Sequence, residues 1–246
     1  MKIGTKIGPL TPSGHKEVMA SNVNYFEAYL TPSFNYQFLK EVGKEVVIHV
    51  AHQSEGINFA NPQKQAQNIE SLRVALKAAD YFDSKIIIFH PGYLEDEHCS
   101  EANALKFIKE NYDPRLCVEN MPISASYFDF LCANPIETRR FIKKTKVGFC
   151  FDFAHAFESN EFRPIDNFIE KYLALGPQIF HLTDTDLLEI KKKKPQKESH
   201  LSLGDGTLDI KSIIKNIPRG SLLTLETPTI SAIQTKEIEL IRQILR

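Results

Sequence analysis

Short runs of apolar and β-branched residues recur along the chain. Between them lie stretches in which apolar positions return every three or four residues. The runs are KIGTKI (2–7), NYFEAYL (24–30), EVVIHVAH (45–52), KIIIFHPG (85–92), RLCVENM (115–121), VGFCFDFAH (147–155), QIFHLTD (178–184) and LLTLETP (222–228). Most are continuous rather than alternating, as in parallel strands covered on both faces. The segment 62–82 opens on Pro62 and places Ile69, Leu72, Val74, Leu76 and Ala79 on an apolar face, which predicts a helix. Helical patterns also cover 100–112, 135–144, 165–176, 208–216 and 235–246, with a weaker one at 12–22. Eight strands alternating with helices predict an α/β fold, a (β/α)8 TIM barrel spanning residues 1–246 as one domain. A doubly wound open sheet is the second choice. No linker, fixed-period repeat or low-complexity tract interrupts the pattern, and the one charge run is KKKKPQK at 191–197.

Composition adds boundaries rather than detail. The chain is 42% hydrophobic and 25% charged, with a formal net charge of −1, so a polyanionic partner needs a local basic patch. No run approaches the ~18 apolar residues of a membrane span, and the first residues lack the apolar core of a signal peptide. The expectation is a cytoplasmic protein with no membrane partner, and a monomer. Four cysteines without a CxxC read as reduced thiols.

The polar residues inside the apolar runs carry the chemistry. GFCFDFAHAF (148–157) contains Asp152 and His155, and a buried carboxylate is costly unless paired or metal-bound. Six consecutive runs hold a metal-capable residue near the C-terminal end: His52, His90, Glu119, Asp152 with His155, His181 and Glu226. In a barrel that end is the catalytic mouth. Each residue alone reads as a core histidine or a helix cap. Together they place carboxylates that repel one another unless a cation lies between them. Histidine and carboxylate donors suit Zn²⁺, with Mn²⁺ or Fe²⁺ as alternatives. The segment KESHLSLGDG adds Glu198 and His200, two apart and so on the same side of an extended backbone. Nine ligands exceed the coordination of one ion and fit two or three, the arrangement used for phosphoester hydrolysis. His49, three residues before His52, falls on the opposite strand face and is set aside. His15 and His98 read as surface residues.

The motifs FHPG (89–92), VENM (118–121), FDFAH (151–155), HLTD (181–184), HLSLGDG (200–206) and LETP (225–228) resemble the endonuclease IV family of abasic-site endonucleases. That family lies within the wider xylose-isomerase-like barrel superfamily, and the similarity runs from about His52 to Glu226. The resemblance implies a zinc phosphodiesterase that cuts damaged DNA on the 5′ side of an abasic site. Carried over by position, it implies about three zinc ions per chain. His52 and His90 hold the first, with Glu119 bridging to the second; Asp152, His181 and Glu226 complete the second; His155, Glu198 and His200 hold the third. Glu119, Asp152 and Glu226 are then the catalytic carboxylates. Lys191, Lys192, Lys193, Lys194 and Lys197 lie in the loop that delivers Glu198 and are candidate phosphate contacts. The chain departs from the family in places. Glu198 stands where members have Asp, and Glu55 and Gly56 stand where they have bulky residues. The loop 31–37 lacks Arg and Lys, and its Phe34 and Tyr36 read as loop packing ahead of base stacking. A competing reading is a sugar or sugar-phosphate isomerase or epimerase. It would hold one metal by Glu119, Asp152, His181 and Glu226, with a small sugar phosphate as substrate. A non-catalytic metal-binding barrel ranks third.

Overall fold

A computed structural model describes residues 1–9, 12–31, 34–125, 128–192, 200–227 and 231–246. The apolar runs form eight strands: β1 (Lys2–Ile7), β2 (Tyr25–Tyr29), β3 (Glu45–His49), β4 (Ile87–Phe89), β5 (Leu116–Glu119), β6 (Gly148–Asp152), β7 (Ile179–Leu182) and β8 (Leu222–Leu225). Each pairs in parallel with its neighbours in the chain, and β8 pairs with β1, so the sheet closes into a barrel rather than staying open.

Strand alternation sorts the side chains into two layers. Phe26, Ile48, Phe89, Val118, Phe151, Phe180 and Leu225 belong to the large core cluster shared with the helices. Tyr25, Val47, Ile88, Cys117, Cys150 and Ile179 form a separate cluster inside the barrel. Each fully buried Val, Ile or Phe contributes roughly 1.5–3 kcal/mol. Space inside is tight, because a Cβ at Gly4 would run into the Tyr25 ring. The Tyr25 hydroxyl meets Thr224 Oγ1 at 2.9 Å, so its polar end is satisfied.

The helices are α1 (Pro12–Ala20), α2 (Leu39–Val42), α3 (Gln65–Phe82), α4 (Glu101–Glu110), α5 (Pro135–Thr145), α6 (Phe153–Phe162), α7 (Phe168–Leu173), α8 (Leu187–Lys191), α9 (Ile210–Asn216) and α10 (Ser231–Ile244). Local chemistry sets their ends. Asn134 caps α5 by accepting from Ile136 N and Glu137 N, with Pro135 at the first helical position. The segment opening on Pro62 starts as a 3-10 turn (Pro62–Lys64) before α3. The run 147–155, expected as one strand, is strand only to Asp152 and then becomes α6. A small antiparallel sheet of Tyr93–Leu94, Phe128–Phe130 and Ser124–Ala125 is built from the loops after β4 and β5. Cys117, Cys132 and Cys150 are buried free thiols, and Cys99 is partly exposed. Among the described residues, no helix is long and apolar enough to cross a membrane.

Candidate metal centre

The inward parity of each strand ends in a charged or imidazole side chain at the C-terminal rim. Around the barrel these are Lys6, Glu27, His49, His90, Glu119, Asp152, His181 and Glu226. All but Lys6 and His90 are classed as buried. Glu119 stands between two sets of donors. Its Oε2 lies 3.2 Å from His49 Nε2 and 3.3 Å from His90 Nε2. Its Oε1 lies 3.3 Å from His155 Nδ1 and 3.5 Å from His181 Nδ1. His181 Nδ1 is in turn 2.9 Å from Glu226 Oε1 and 4.0 Å from Asp152 Oδ2. Two donor groups follow, one of His49, His90 and Glu119, the other of Glu119, Asp152, His181 and Glu226.

The hydrogen bonding around these groups is sparse on the inner side and fuller on the outer. Three histidines each place an outer ring nitrogen against an acceptor: His49 Nδ1 on Val50 O (2.8 Å), His90 Nδ1 on Gln53 Oε1 (2.9 Å) and His181 Nε2 on Glu27 Oε2 (2.9 Å); His155 Nδ1 is shared between Asn120 O (3.0 Å) and Glu119 Oε1, and His200 Nδ1 lies 3.2 Å from Glu226 O. A ring that donates one N–H outward leaves its other nitrogen as a bare lone pair, the usual outer anchoring of a metal-ligating histidine. On the inner side, His90 Nε2, Glu119 Oε1, Asp152 Oδ2 and His181 Nδ1 are buried without a hydrogen-bond partner. Such orphaned groups cost roughly 1–3 kcal/mol each. Lone pairs and carboxylate oxygens facing one another about 3 Å apart repel unless a proton or a cation lies between them. Nitrogen and oxygen donors in this geometry fit a divalent metal.

Without such an ion the carboxylates draw protons instead. Burial opposes a charge on His155, yet Asp152 and Glu119 push it up to about 10. His181 is likewise held well above the usual histidine range, against burial, by Cys150, Glu226, Glu27 and Glu119. Burial, with Glu119 and Glu226 nearby, lifts Asp152 to about 6 despite His155. Burial also opposes ionisation of Glu119 and Glu226, but the histidines around them keep both well below the ordinary carboxylate range. His90 is pushed down to about 4, chiefly by burial. Lys6 Nζ lies 2.7 Å from Glu226 Oε1 and 3.9 Å from Glu27 Oε1; despite burial, these carboxylates raise its pKa.

Most ligands expected from the sequence meet here, by different local routes. Asp152 ends β6, and its Oδ1 accepts His155 N at 2.7 Å, so this expected ligand is also the N-cap of α6. Asn120 pins this corner, accepting from Asp152 N at 2.8 Å and donating to Asp152 O at 2.9 Å. His200 faces His155 edge to face at 6.2 Å. Its loop is tied down by Asp184, whose carboxylate accepts from the amides of Thr185 (2.8 Å), Gly204 (2.9 Å) and Leu208 (3.1 Å).

His52 and His49 differ from the sequence reading. The third strand stops at His49, so alternation does not reach His52. His49 is therefore inward and fully buried, not on the opposite face. His52 begins the 3-10 turn Gln53–Glu55, accepts Ser54 N on Nδ1 at 3.4 Å, and stacks on His90 at 4.5 Å. Lys6 and Glu27 escaped sequence reasoning and His49 was set aside; each lies two residues beyond an inward position of its own strand, Gly4, Tyr25 and Val47. Phe34 is buried and in ring contact with Tyr36 and Phe38, so these aromatics pack their own loop. Lys191 is exposed and pairs with Glu161 at 2.7 Å, and exposed Lys192 pairs with Glu189 at 3.2 Å. Lys193, Lys194, Lys197 and Glu198 lie outside the described residues.

Comparison with known proteins agrees with this architecture. A probable endonuclease 4 from Metamycoplasma arthritidis is 23% identical over 228 residues, covering 83% of this chain and 76% of the relative. Among solved structures, a D-tagatose 3-epimerase-like protein superposes with a TM-score of 0.79 at 22% identity, covering 100% of this chain and 97% of the other. Endonuclease IV from Thermus thermophilus gives 0.71 at 18% identity, with 100% and 99% covered. At such identities the two structures establish the fold alone. The family model described as xylose isomerase-like TIM barrel matches residues 30–244. With the closed parallel barrel and the acidic, histidine-rich rim, the chain belongs to the xylose isomerase-like TIM barrel family.

Proposed function

We propose that the protein is a zinc-dependent phosphodiesterase resembling endonuclease IV, acting on DNA 5′ to abasic sites. The observation that carries this reading is the position of Glu119, each of whose oxygens faces its own set of nitrogen donors. Neighbouring divalent ions would supply Lewis-acid activation of water and charge for the phosphate oxygens. Glu119 would be the shared ligand. Asp152, His181 and Glu226 would complete one position, and His155, His200 and Glu198 would form a third. Lys6 would add a fixed positive charge at the rim, and the lysine run 191–197 would contact the DNA backbone. The probable endonuclease 4 among the relatives supports the same reading. Two measurements test it: elemental analysis of protein purified without chelator, and cleavage of a duplex carrying one abasic site. About three zinc ions per chain and incision leaving a 3′-hydroxyl are expected. Zinc-replete protein that leaves the abasic duplex intact would overturn the reading.

The four-residue group of Glu119, Asp152, His181 and Glu226 favours a second reading, a single-metal sugar or sugar-phosphate isomerase or epimerase. The metal would polarise a hydroxy-ketone, and a carboxylate of the set would move the proton. The epimerase-like structural neighbour supports it. It leaves the inward lone pair of His90 and the anchoring of His200 without a role. One metal per chain, unchanged on zinc loading, together with turnover of ketose phosphates, would favour it over hydrolysis.

A further inference from the structure

We infer that His49, and not His52, is the third-strand ligand of the ion held with His90 and Glu119. The inference rests on the metal-centre reading above and assigns a ligand that the motif resemblance does not contain. Three features carry it. The first is spacing: His49 Nε2 and His90 Nε2 lie 3.2 and 3.3 Å from the same Glu119 oxygen. Tetrahedral zinc with bonds of about 2.0–2.1 Å holds its donors about 3.3 Å apart. Both nitrogens are thus at coordination spacing from the shared oxygen, and the three donor atoms lie within 4.8 Å of one another.

The second is proton placement. His49 Nδ1 lies 2.8 Å from the Val50 carbonyl and its Nε2 lies 3.2 Å from Glu119 Oε2; both partners only accept, and in the neutral ring the shorter contact takes the hydrogen on Nδ1. His90 Nδ1 is placed likewise against the Gln53 side-chain oxygen at 2.9 Å. Both rings thereby turn Nε2 inward as a lone pair. His52 has the opposite arrangement. Its Nδ1 accepts from Ser54 N, so in the neutral ring the hydrogen sits on Nε2, which then has no lone pair for a metal.

The third is ring orientation. Coordinated imidazoles bind through in-plane lone pairs that must converge on one point. The His49 and His90 rings meet edge to face, at 5.1 Å and 79°. The His52 and His90 rings are stacked at 4.5 Å and 3°, which keeps their lone pairs in separate parallel planes. Stacking there braces His90 from above, while Gln53, the next residue, fixes its outer nitrogen. His52 is in this arrangement a positioning residue.

Anomalous diffraction at the zinc edge on zinc-loaded crystals of the intact chain tests the inference directly. A zinc peak about 2.1 Å from His49 Nε2, shared with His90 and Glu119, is expected. A peak bonded to His52, or none bonded to His49, would overturn it. In solution, His49→Asn should lose about one zinc per chain, while His52→Asn should keep the wild-type count. The reverse pattern would overturn the inference. If His49→Asn fails to fold, the diffraction result on the wild-type protein still decides. Zinc bound through His52 and His90 would sink this inference and leave the phosphodiesterase reading standing. Zinc confined to the group of Asp152, His181 and Glu226 with Glu119 would remove both.

Discussion

Asp152 does two things that its Asn variant separates. An Asn side chain can still accept His155 N and cap α6, but it brings no charge into the cluster. In chelator-treated protein, Asp152→Asn should therefore raise stability at neutral pH, by on the order of 2 kcal/mol. The sign follows from the raised value. A carboxyl at about 6 in the folded chain, against an ordinary value near 4, costs stability once pH exceeds the unfolded value, and the full cost is reached above 6. Melts of the metal-free pair at pH 4.5 and 7.5 should show the gap opening at the higher pH. In metal-loaded protein the same substitution should remove most activity, because a ligand is lost. Glu27 offers a complementary test. It orients His181 through Nε2 and is itself supported by Thr224 Oγ1 at 2.8 Å. Glu27→Gln should weaken zinc binding about 10–100-fold, read by competition with a chelating dye, with little change in far-UV circular dichroism.

At the level of elements, the strands were legible because both faces of each are covered, which leaves unbroken apolar runs such as FCF and IIIF. The helices were legible where a polar face alternated with an apolar one, as in α3. Reading faltered where one segment served two elements. In 147–155 the apolar run continues through the strand-to-helix junction, and Asp152, the residue that marks the junction, looks like an intrusion rather than a cap. The rim was half legible for a related reason. A search for metal-capable residues late in the central and C-terminal runs finds Glu119, His181 and Glu226. It passes over Lys6, Glu27 and His49, whose inward direction is set by alternation and whose runs continue beyond them. The loop after β7 gives an element-scale test. Asp184→Asn places an amide donor opposite backbone donors at Gly204 or at Thr185 and Leu208. Faster hydrogen exchange at residues 201–208 is expected, with a loss of roughly 1–3 kcal/mol. On the phosphodiesterase reading, the zinc count should also fall, since the loop delivers His200.

For the whole molecule, ions and protons compete for one cluster. His155, at about 10, holds a proton at neutral pH, and His181 is raised in the same direction. On the zinc reading, binding must displace those protons, so apparent affinity should rise with pH, about tenfold per unit for each proton released. Calorimetry in buffers of differing ionisation enthalpy would count them; binding with no proton release would contradict the cluster described here. On the metal-centre reading, ions bind the folded chain far better than the unfolded one. At a hundredfold excess over Kd the gain is about 2.7 kcal/mol. For a chain of this length that is a rise in Tm of about 5–10 °C, reversed by chelator.

Below the rim, Tyr25 and the packed layer of Val47, Ile88, Cys117, Cys150 and Ile179 fill the barrel. On the proposed reading, the rim opening is then the route for metal, water and substrate alike. A ligand lying across it acts as a stopper, so saturating substrate should slow the stripping of metal by a chelator.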